Sequence, residues 1–178
     1  MDGILRGGNR SMIPESVSRQ LAAHGLRAVE FEPGSTATSQ LAAERLGVSV
    51  GQIAKSLLFL GKDGRYFMLL CPGDRKVSSS KLKAALGVKT RMARHEETLA
   101  ATGFEPGGVC PFGSGGNIRV LLDESLAQYP TIYPAAGTSA SGVSMTFAQL
   151  VAITGGQVGD FTVAEGQVPE GRPTEGGG

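Results

Sequence analysis

Ala54-Lys55-Ser56-Leu57-Leu58-Phe59-Leu60, closed by Lys62-Asp63-Gly64 and followed by Arg65 to Cys71, is the stretch on which the fold turns. The run is short, rich in bulky apolar residues and bounded by an Asp-Gly dipeptide. It therefore reads as a strand of a buried sheet entering a hairpin with Arg65 to Cys71. Strand alternation puts Lys55, Leu57 and Phe59 on one face and Ala54, Ser56, Leu58 and Leu60 on the other, and neither face is solvent-like. Lys55 stands on a mostly apolar wall. Either its stem lies along that wall with the charge in water, or the ammonium is partly desolvated and meets carbonyl, carboxylate or ligand oxygens.

A second informative stretch is Gly107-Gly108-Val109-Cys110-Pro111-Phe112-Gly113, continued by Ser114-Gly115-Gly116-Asn117. Five glycines and a proline in eleven residues rule out a helix or a regular strand and commit the backbone to tight turns with exposed amides. Such a loop is either a tight connection or a cradle for a phosphate, a carboxylate or a developing oxyanion. No Gly-Lys-Ser/Thr follows it, and it does not join a strand to a helix, so it is neither a Walker loop nor a dinucleotide fingerprint.

Outward from these two stretches the chain alternates helices and strands. Pro14 opens an amphipathic helix to His24 with Val17 and Leu21 inward and Gly25 as stop. Arg27 to Phe31 reads as a short strand, Thr38 or Ser39 caps a helix through Leu46 that Gly47 ends, and Ser49 with Gln52 forms a capping box. Ser78 to Ser80 start a helix that runs from Lys81 to Leu86 and stops at Gly87, Thr90 to Ala93 is a brief strand, and His95 to Thr102 is a helix ended by Gly103. Ile118 to Leu122, Thr131 to Ala135 and Ser141 to Met145 read as strands, and Phe147 to Thr154 as the last helix. One hairpin and no regular strand-helix-strand repeat predict an α+β domain, with a mixed, largely antiparallel sheet flanked by helices.

Composition bounds the function. A chain of 178 residues falls in the single-domain range and buries a proper core. A net charge of +1 excludes a broad basic field that grips long nucleic acid by charge alone. Lys76, Lys81, Lys83, Lys89, Arg91 and Arg94 form local basic surface, read either as a solvated face or as a nucleic-acid contact. Two cysteines, Cys71 and Cys110, make no disulfide framework. No leader pattern or run of ~20 apolar residues occurs, so the expectation is a reduced, cytoplasmic protein with no membrane contact. Residues 1–12 and 165–178, Gly-rich or charged with few large apolar side chains, are expected to be flexible and disordered, leaving one domain over 13–164.

The Lys55 strand and the glycine-proline loop, in this order, resemble the YbaK family, also described as the prolyl-tRNA synthetase editing-domain (INS, ProX-like) family of aminoacyl-tRNA deacylases. The matching residues are Leu46-Gly47, then Ile53-Ala54-Lys55-Ser56-Leu57-Leu58-Phe59, then the Gly-x-x-x-Pro loop at Gly107 to Pro111. The likeness continues through Lys81 to Gly87 and Thr131-Ile132-Tyr133 to the last helix. The resemblance implies hydrolysis of the ester in mischarged aminoacyl-tRNA, with the tRNA acceptor end as partner and no metal or other cofactor. It casts Lys55 as an anchor, and Gly107, Gly108, Val109, Cys110 and Pro111 as the loop that holds the carbonyl oxygen or the attacking water. Ser56, Phe112, Gly113, Gly137, Thr138 and Ser139 are then expected to contact substrate.

Candidate protein bases are scarce. His24 lies at a helix end and His95 in a polar stretch, both read as surface residues. Cys110 is read as a small pocket-lining side chain rather than a thiolate nucleophile, since no base is adjacent. Where relatives carry a Gly-Gly-x-Arg-Gly-type turn, Ala136 to Met145 lacks the basic and acidic members. A pocket floor of Thr138, Ser139 and Ser141 would be polar but uncharged, and the amino acid accepted is expected to be small: Ala, Cys, Ser or Thr. Two alternatives remain at this stage, a noncatalytic domain that binds charged tRNA and a hydrolase that depends on Cys110.

Overall fold

The computed structural model describes residues 11–113 and 117–165. Apart from Ser11, Met12 and Glu165, the segments expected to be flexible lie outside the described residues, as do Ser114, Gly115 and Gly116 of the glycine-rich loop. The strands are β1 (Val29–Glu30), β2 (Ile53–Gly61), β3 (Tyr66–Pro72), β4 (Arg75–Val77), β5 (Thr90–Met92), β6 (Ile118–Asp123), β7 (Tyr133–Pro134), β8 (Ser141–Gly142), β9 (Gln157–Gly159) and β10 (Thr162–Ala164). The α-helices are α1 (Glu15–Ala23), α2 (Ser39–Leu46), α3 (Ser79–Leu86), α4 (His95–Thr102) and α5 (Phe147–Thr154). Among the described residues no helix is long and apolar enough to cross a membrane.

The hairpin of β2 and β3 forms as its sequence requires. Gly64 takes φ +87°, its N–H donates to the Gly61 carbonyl at 2.9 Å, and Gly61 N–H donates to Arg65 at 2.8 Å. Antiparallel pairing then runs from Ala54 with Pro72 to Leu60 with Tyr66. Around it the main sheet has the order β5-β2-β3-β6-β9, with β7 also on β2. It is mixed: β5 pairs antiparallel with β2, whereas β7 on β2, β6 on β3 and β9 on β6 run parallel.

Side-chain alternation divides the apolar core between the two sheet faces. Ala54, Leu58, Met68 and Leu70 pack with Val17 and Leu21 of α1, Leu150 and Ile153 of α5, and the buried Val109, Cys110 and Phe112. Phe59, Phe67, Leu69 and Cys71 pack on the other face with Leu82 and Leu86 of α3 and with Phe161. Glycines in the left-handed conformation end α2, α3, α4 and α5 at Gly47, Gly87, Gly103 and Gly155, three of them the stops expected from sequence. Thr131 to Ala135 and Ser141 to Met145 contract to β7 and β8 plus one isolated bridge, Ile132 with Met145. Ala136 onward turns away instead of continuing a ladder.

The short β4, β9 and β10 were not expected from sequence, and neither was the 3₁₀ turn Glu124–Gln128. They are held by Asp123, 1 % exposed. Its carboxylate accepts from Phe161 N–H at 2.8 Å, Thr162 Oγ1 at 3.0 Å, Ser125 N–H at 3.2 Å and the Ser125 hydroxyl. Arg75 Nε donates to Thr162 Oγ1 at 2.7 Å, so the network reaches from β6 through β10 to β4. Asp123→Ala strands these donors in a buried site and is expected to lower the unfolding free energy by roughly 2–4 kcal/mol in urea denaturation. Asp160→Ala removes only the surface pair with Lys81 and should cost under about 1 kcal/mol.

Candidate active site at the open edge of the central hairpin

The site begins with a gap in the sheet. On the outer edge of β2, β7 reaches only Ile53 and Ala54 and β5 only Phe59 to Gly61. Leu58 carbonyl accepts from Ala93 N–H at 2.9 Å and Lys62 N–H donates to Lys89 carbonyl at 2.9 Å, so the even-numbered residues of β2 turn their main chain to this edge. Ser56 lies between the two partners. Its N–H and C=O face the gap with no backbone partner among the described residues. Its hydroxyl is also buried and has no hydrogen-bond partner among the described residues, and a buried hydroxyl left unmet costs about 1–3 kcal/mol.

A cavity of about 260 Å³ fills this gap. Ile53 to Leu57 form one wall, Ser39, Ala42 and Leu46 of α2 another, Tyr133 and Ala135 the start of the floor, and Ser139, Ser141 and Gly142 its continuation, with Gly107 and Val109 facing them. Phe31 and Thr36 to Thr38 close the end, where Thr36 Oγ1 donates to the Ser139 carbonyl at 2.7 Å. Arg45 lies over the Phe31 ring at 5.2 Å and pairs with Glu32. The hydrogen bond from Arg45 holds the Glu32 carboxyl down at about 2.

Lys55 resolves the choice left open by its sequence. The ammonium donates to the Arg75 carbonyl at 2.9 Å and, at 3.5 Å, to the Gly73 carbonyl. Two neutral acceptors orient the group without neutralising it, and an ammonium has a third donor to offer. The partners belong to the turn between β3 and β4 and to β4, neither of which was legible beforehand.

The glycine-proline loop divides its residues among three tasks. Glu105-Pro106-Gly107-Gly108 is a type II turn: Gly107 takes φ +94° after Pro106, and Gly108 N–H donates to the Glu105 carbonyl at 2.9 Å. Gly107 and Val109 line the cavity, and their N–H groups have no acceptor among the described residues. Gly108 instead fits against the next loop, where a Cβ would lie 2.7 Å from Thr138 Cα. Cys110 and Phe112 are both 0 % exposed in the core, with the thiol donating to the Phe112 carbonyl at 3.5 Å, and Pro111, between them, is buried as well. Gly113 N–H donates to Gln20 Oε1 at 2.7 Å, behind the cavity.

Of the residues singled out from sequence, Lys55, Ser56, Gly107, Val109 and Ser139 therefore meet at one cavity. Gly108, Cys110, Pro111, Phe112, Gly113, Gly137 and Thr138 are not among its lining residues; Gly137 packs on Pro14 and Phe104, and Thr138 N–H donates to Ser141 Oγ at 3.3 Å. The α2 wall, Phe31, Thr36 and Tyr133 had no signal beyond an ordinary helix cap and strand. Apart from Lys55 and Tyr133, no titratable side chain among the described residues lines the cavity. Among the described residues no three His, Cys, Asp or Glu side chains come together as a metal site.

In this mixed-sheet domain Lys55, the unpaired Ser56 segment and Gly107 and Val109, whose amides have no acceptor among the described residues, line one cavity. Residues 33–153 match the aminoacyl-tRNA editing domain family, and the chain belongs to that family, whose work is deacylation of mischarged tRNA. It is 43% identical over 117 residues to "Uncharacterized protein YwhH" of Bacillus subtilis, covering 66% of this chain and 74% of that protein. It is 28% identical over 129 residues to "Putative Cys-tRNA(Pro)/Cys-tRNA(Cys) deacylase EbsC" of Enterococcus faecalis, covering 72% and 79%. A crystal structure described as "a putative trans-editing enzyme for prolyl tRNA synthetase" superposes with TM-score 0.80 at 36% identity, over 87% of this chain and 99% of that one.

Burial pushes the thiols of Cys71 and Cys110 up to about 12, so both stay protonated near neutral pH. Native protein should resist iodoacetamide at both positions, as read by mass spectrometry. Cys110→Ala should keep the deacylation rate within roughly threefold of wild type, as befits a small core residue; loss of activity with the fold intact would make the thiol the nucleophile.

Proposed function

We propose that residues 13–164 act as a single cytoplasmic trans-editing domain that hydrolyses the ester of tRNA mischarged with a small amino acid, Ala, Cys, Ser or Thr, with tRNA-Pro as carrier. The observation that carries this reading is the shared cavity of Lys55, the unpaired Ser56 segment and the free amides of Gly107 and Val109. The relatives named for Cys-tRNA(Pro) deacylation and for prolyl-tRNA trans-editing support it.

In this reading the acyl group enters the cavity between α2 and the Ser139–Gly142 floor. Its carbonyl meets the amides of Gly107 and Val109, which Pro106 and the left-handed Gly107 hold in place before substrate arrives. Water adds to the carbonyl carbon, the tetrahedral oxyanion is held by those N–H groups, and the bond to the ribose oxygen breaks as that oxygen takes up a proton. The remaining Lys55 donor orients the ribose or its phosphate. In this role Lys55 is an anchor, a point charge with rotatable donors that holds the substrate in register. Among the described residues no carboxylate or imidazole lines the cavity, so proton movement is assigned to water and to the vicinal hydroxyl of the ribose itself.

Purified protein should accelerate ester loss from at least one of Ala-, Ser-, Cys- or Thr-charged tRNA over the buffer rate and leave correctly charged Pro-tRNA alone; no acceleration for any species overturns the proposal. Lys55→Met, which keeps the apolar stem, should lower kcat/KM by about 10²-fold, the size typical of a lost donor at the reacting centre, with its urea midpoint measured in parallel to separate stability from catalysis.

A further inference from the structure

A second cavity, of about 310 Å³, adjoins the first across the Pro106–Gly107 turn. Ser56, Leu57, Gly107 and Val109 line both, so the unpaired Ser56 hydroxyl and the Gly107 turn stand at a junction between two chambers. The deacylation chemistry argued above occupies only one of them.

The walls of the second chamber differ in kind. Its floor is apolar, from Leu58, Ala93 and Pro106, and Met92 lies on its rim 52 % exposed, an uneconomical place for a thioether unless a flat apolar or aromatic group lies against it. Thr98 on α4 is only 6 % exposed, lines the chamber, and its hydroxyl has no hydrogen-bond partner among the described residues. His95 completes the rim, with Nε2 bound to Glu105 Oε2 at 2.9 Å, which leaves Nδ1 for another partner. Beyond the rim the surface runs along the edge strand β5 to Arg94 and to Lys89 beside Lys62. The first cavity has the small Ala42, Ala135, Ser139 and Gly142 among its walls beside Phe31, Leu46 and Tyr133, and Thr36 bonds to Ser139 across its end.

We propose that the second chamber seats the adenine of the terminal adenosine, so that the scissile ester spans the junction, acyl group in the first chamber and nucleoside in the second. This assignment rests on the deacylase reading. A base has a π-face for Met92 and the apolar floor and a hydrogen-bonding edge for Thr98 and His95, the combination by which unpaired bases are held.

The test compares two esters of the same small amino acid, the 3′-ester of adenosine and the monoester of ethylene glycol, which keeps a vicinal hydroxyl but has no base. The full-length wild type should show kcat/KM at least about tenfold higher for the adenosine ester, the gain of one stacked base. Met92→Ala, on the surface, and the near-isosteric Thr98→Val should each cut that preference several-fold while the glycol ester, which also reports an intact fold, is hydrolysed as before. Equal rates on both esters in the wild type, or variants that slow both esters alike, overturn the proposal. Failure of the wild type to hydrolyse either ester or any mischarged tRNA removes the deacylase reading instead.

Discussion

An incomplete strand edge organises this protein. In a finished sheet every buried main-chain donor and acceptor is paired, and an open edge is ordinarily covered or blunted. Here the outer edge of β2 is covered from both ends, by β7 at Ile53–Ala54 and by β5 at Phe59–Gly61, and left bare in the middle at Ser56. The two flanking strands make the gap a fixed width, and the β2–β3 hairpin holds its back wall in the core through Phe67 to Cys71, all 0 % exposed. The cavity is therefore rigid scaffold on one side and loop on the other. Unsatisfied groups gathered at one place are where a ligand gains most from its hydrogen bonds.

How much of this was legible follows from the range of the interactions. The hairpin, the helix stops at Gly47, Gly87 and Gly103 and the caps at Thr38 and Ser78 rest on neighbours within a few residues, and they appear where the residues place them. The short strands β4 and β10 depend on Arg75 meeting Thr162 and on Asp123 meeting Phe161, pairings across most of the chain with no local pattern. For the same reason the partner of Lys55 was unreadable, because the carbonyls of Gly73 and Arg75 become neighbours only once β4 folds back against β10.

The glycine-rich loop shows a different limit. Composition marks Gly107 to Gly113 as a turn with exposed amides, but it does not say which residue faces which way. In the structure the direction alternates: Gly107 and Val109 to the cavity, Gly108 to Thr138, Cys110 and Phe112 to the core. Only one side of the loop touches the site. The buried side anchors it, with Phe112 packed among the core side chains and Gly113 tied to Gln20, so its amides are positioned before any substrate is present. Preorganised donors cost no reorganisation during reaction, which suits the proposed chemistry in a cavity where Lys55 and Tyr133 are the titratable side chains among the described residues.

Selectivity follows from which hydroxyls remain available. Around the acyl cavity Thr36 Oγ1 donates to Ser139, Thr38 Oγ1 accepts from Leu41 N–H, and Ser141 Oγ donates to the Thr138 carbonyl while accepting from Ala136 N–H. Those three are spent on holding the walls and have little left to read a substrate with. Ser39, Ser56 and Ser139 make no side-chain hydrogen bond with described residues, and Ser56 stands at the ester rather than in the acyl chamber. The enclosure is small, and three of its hydroxyls are already committed to its own walls. On the reading proposed above, such an enclosure selects by volume, at about 1–3 kcal/mol per methylene, and it distinguishes Ala from Ser or Cys less sharply than any of them from a much larger side chain. On that same reading, discrimination by size suits an enzyme that has to spare one correctly charged tRNA more than one that has to identify a single error.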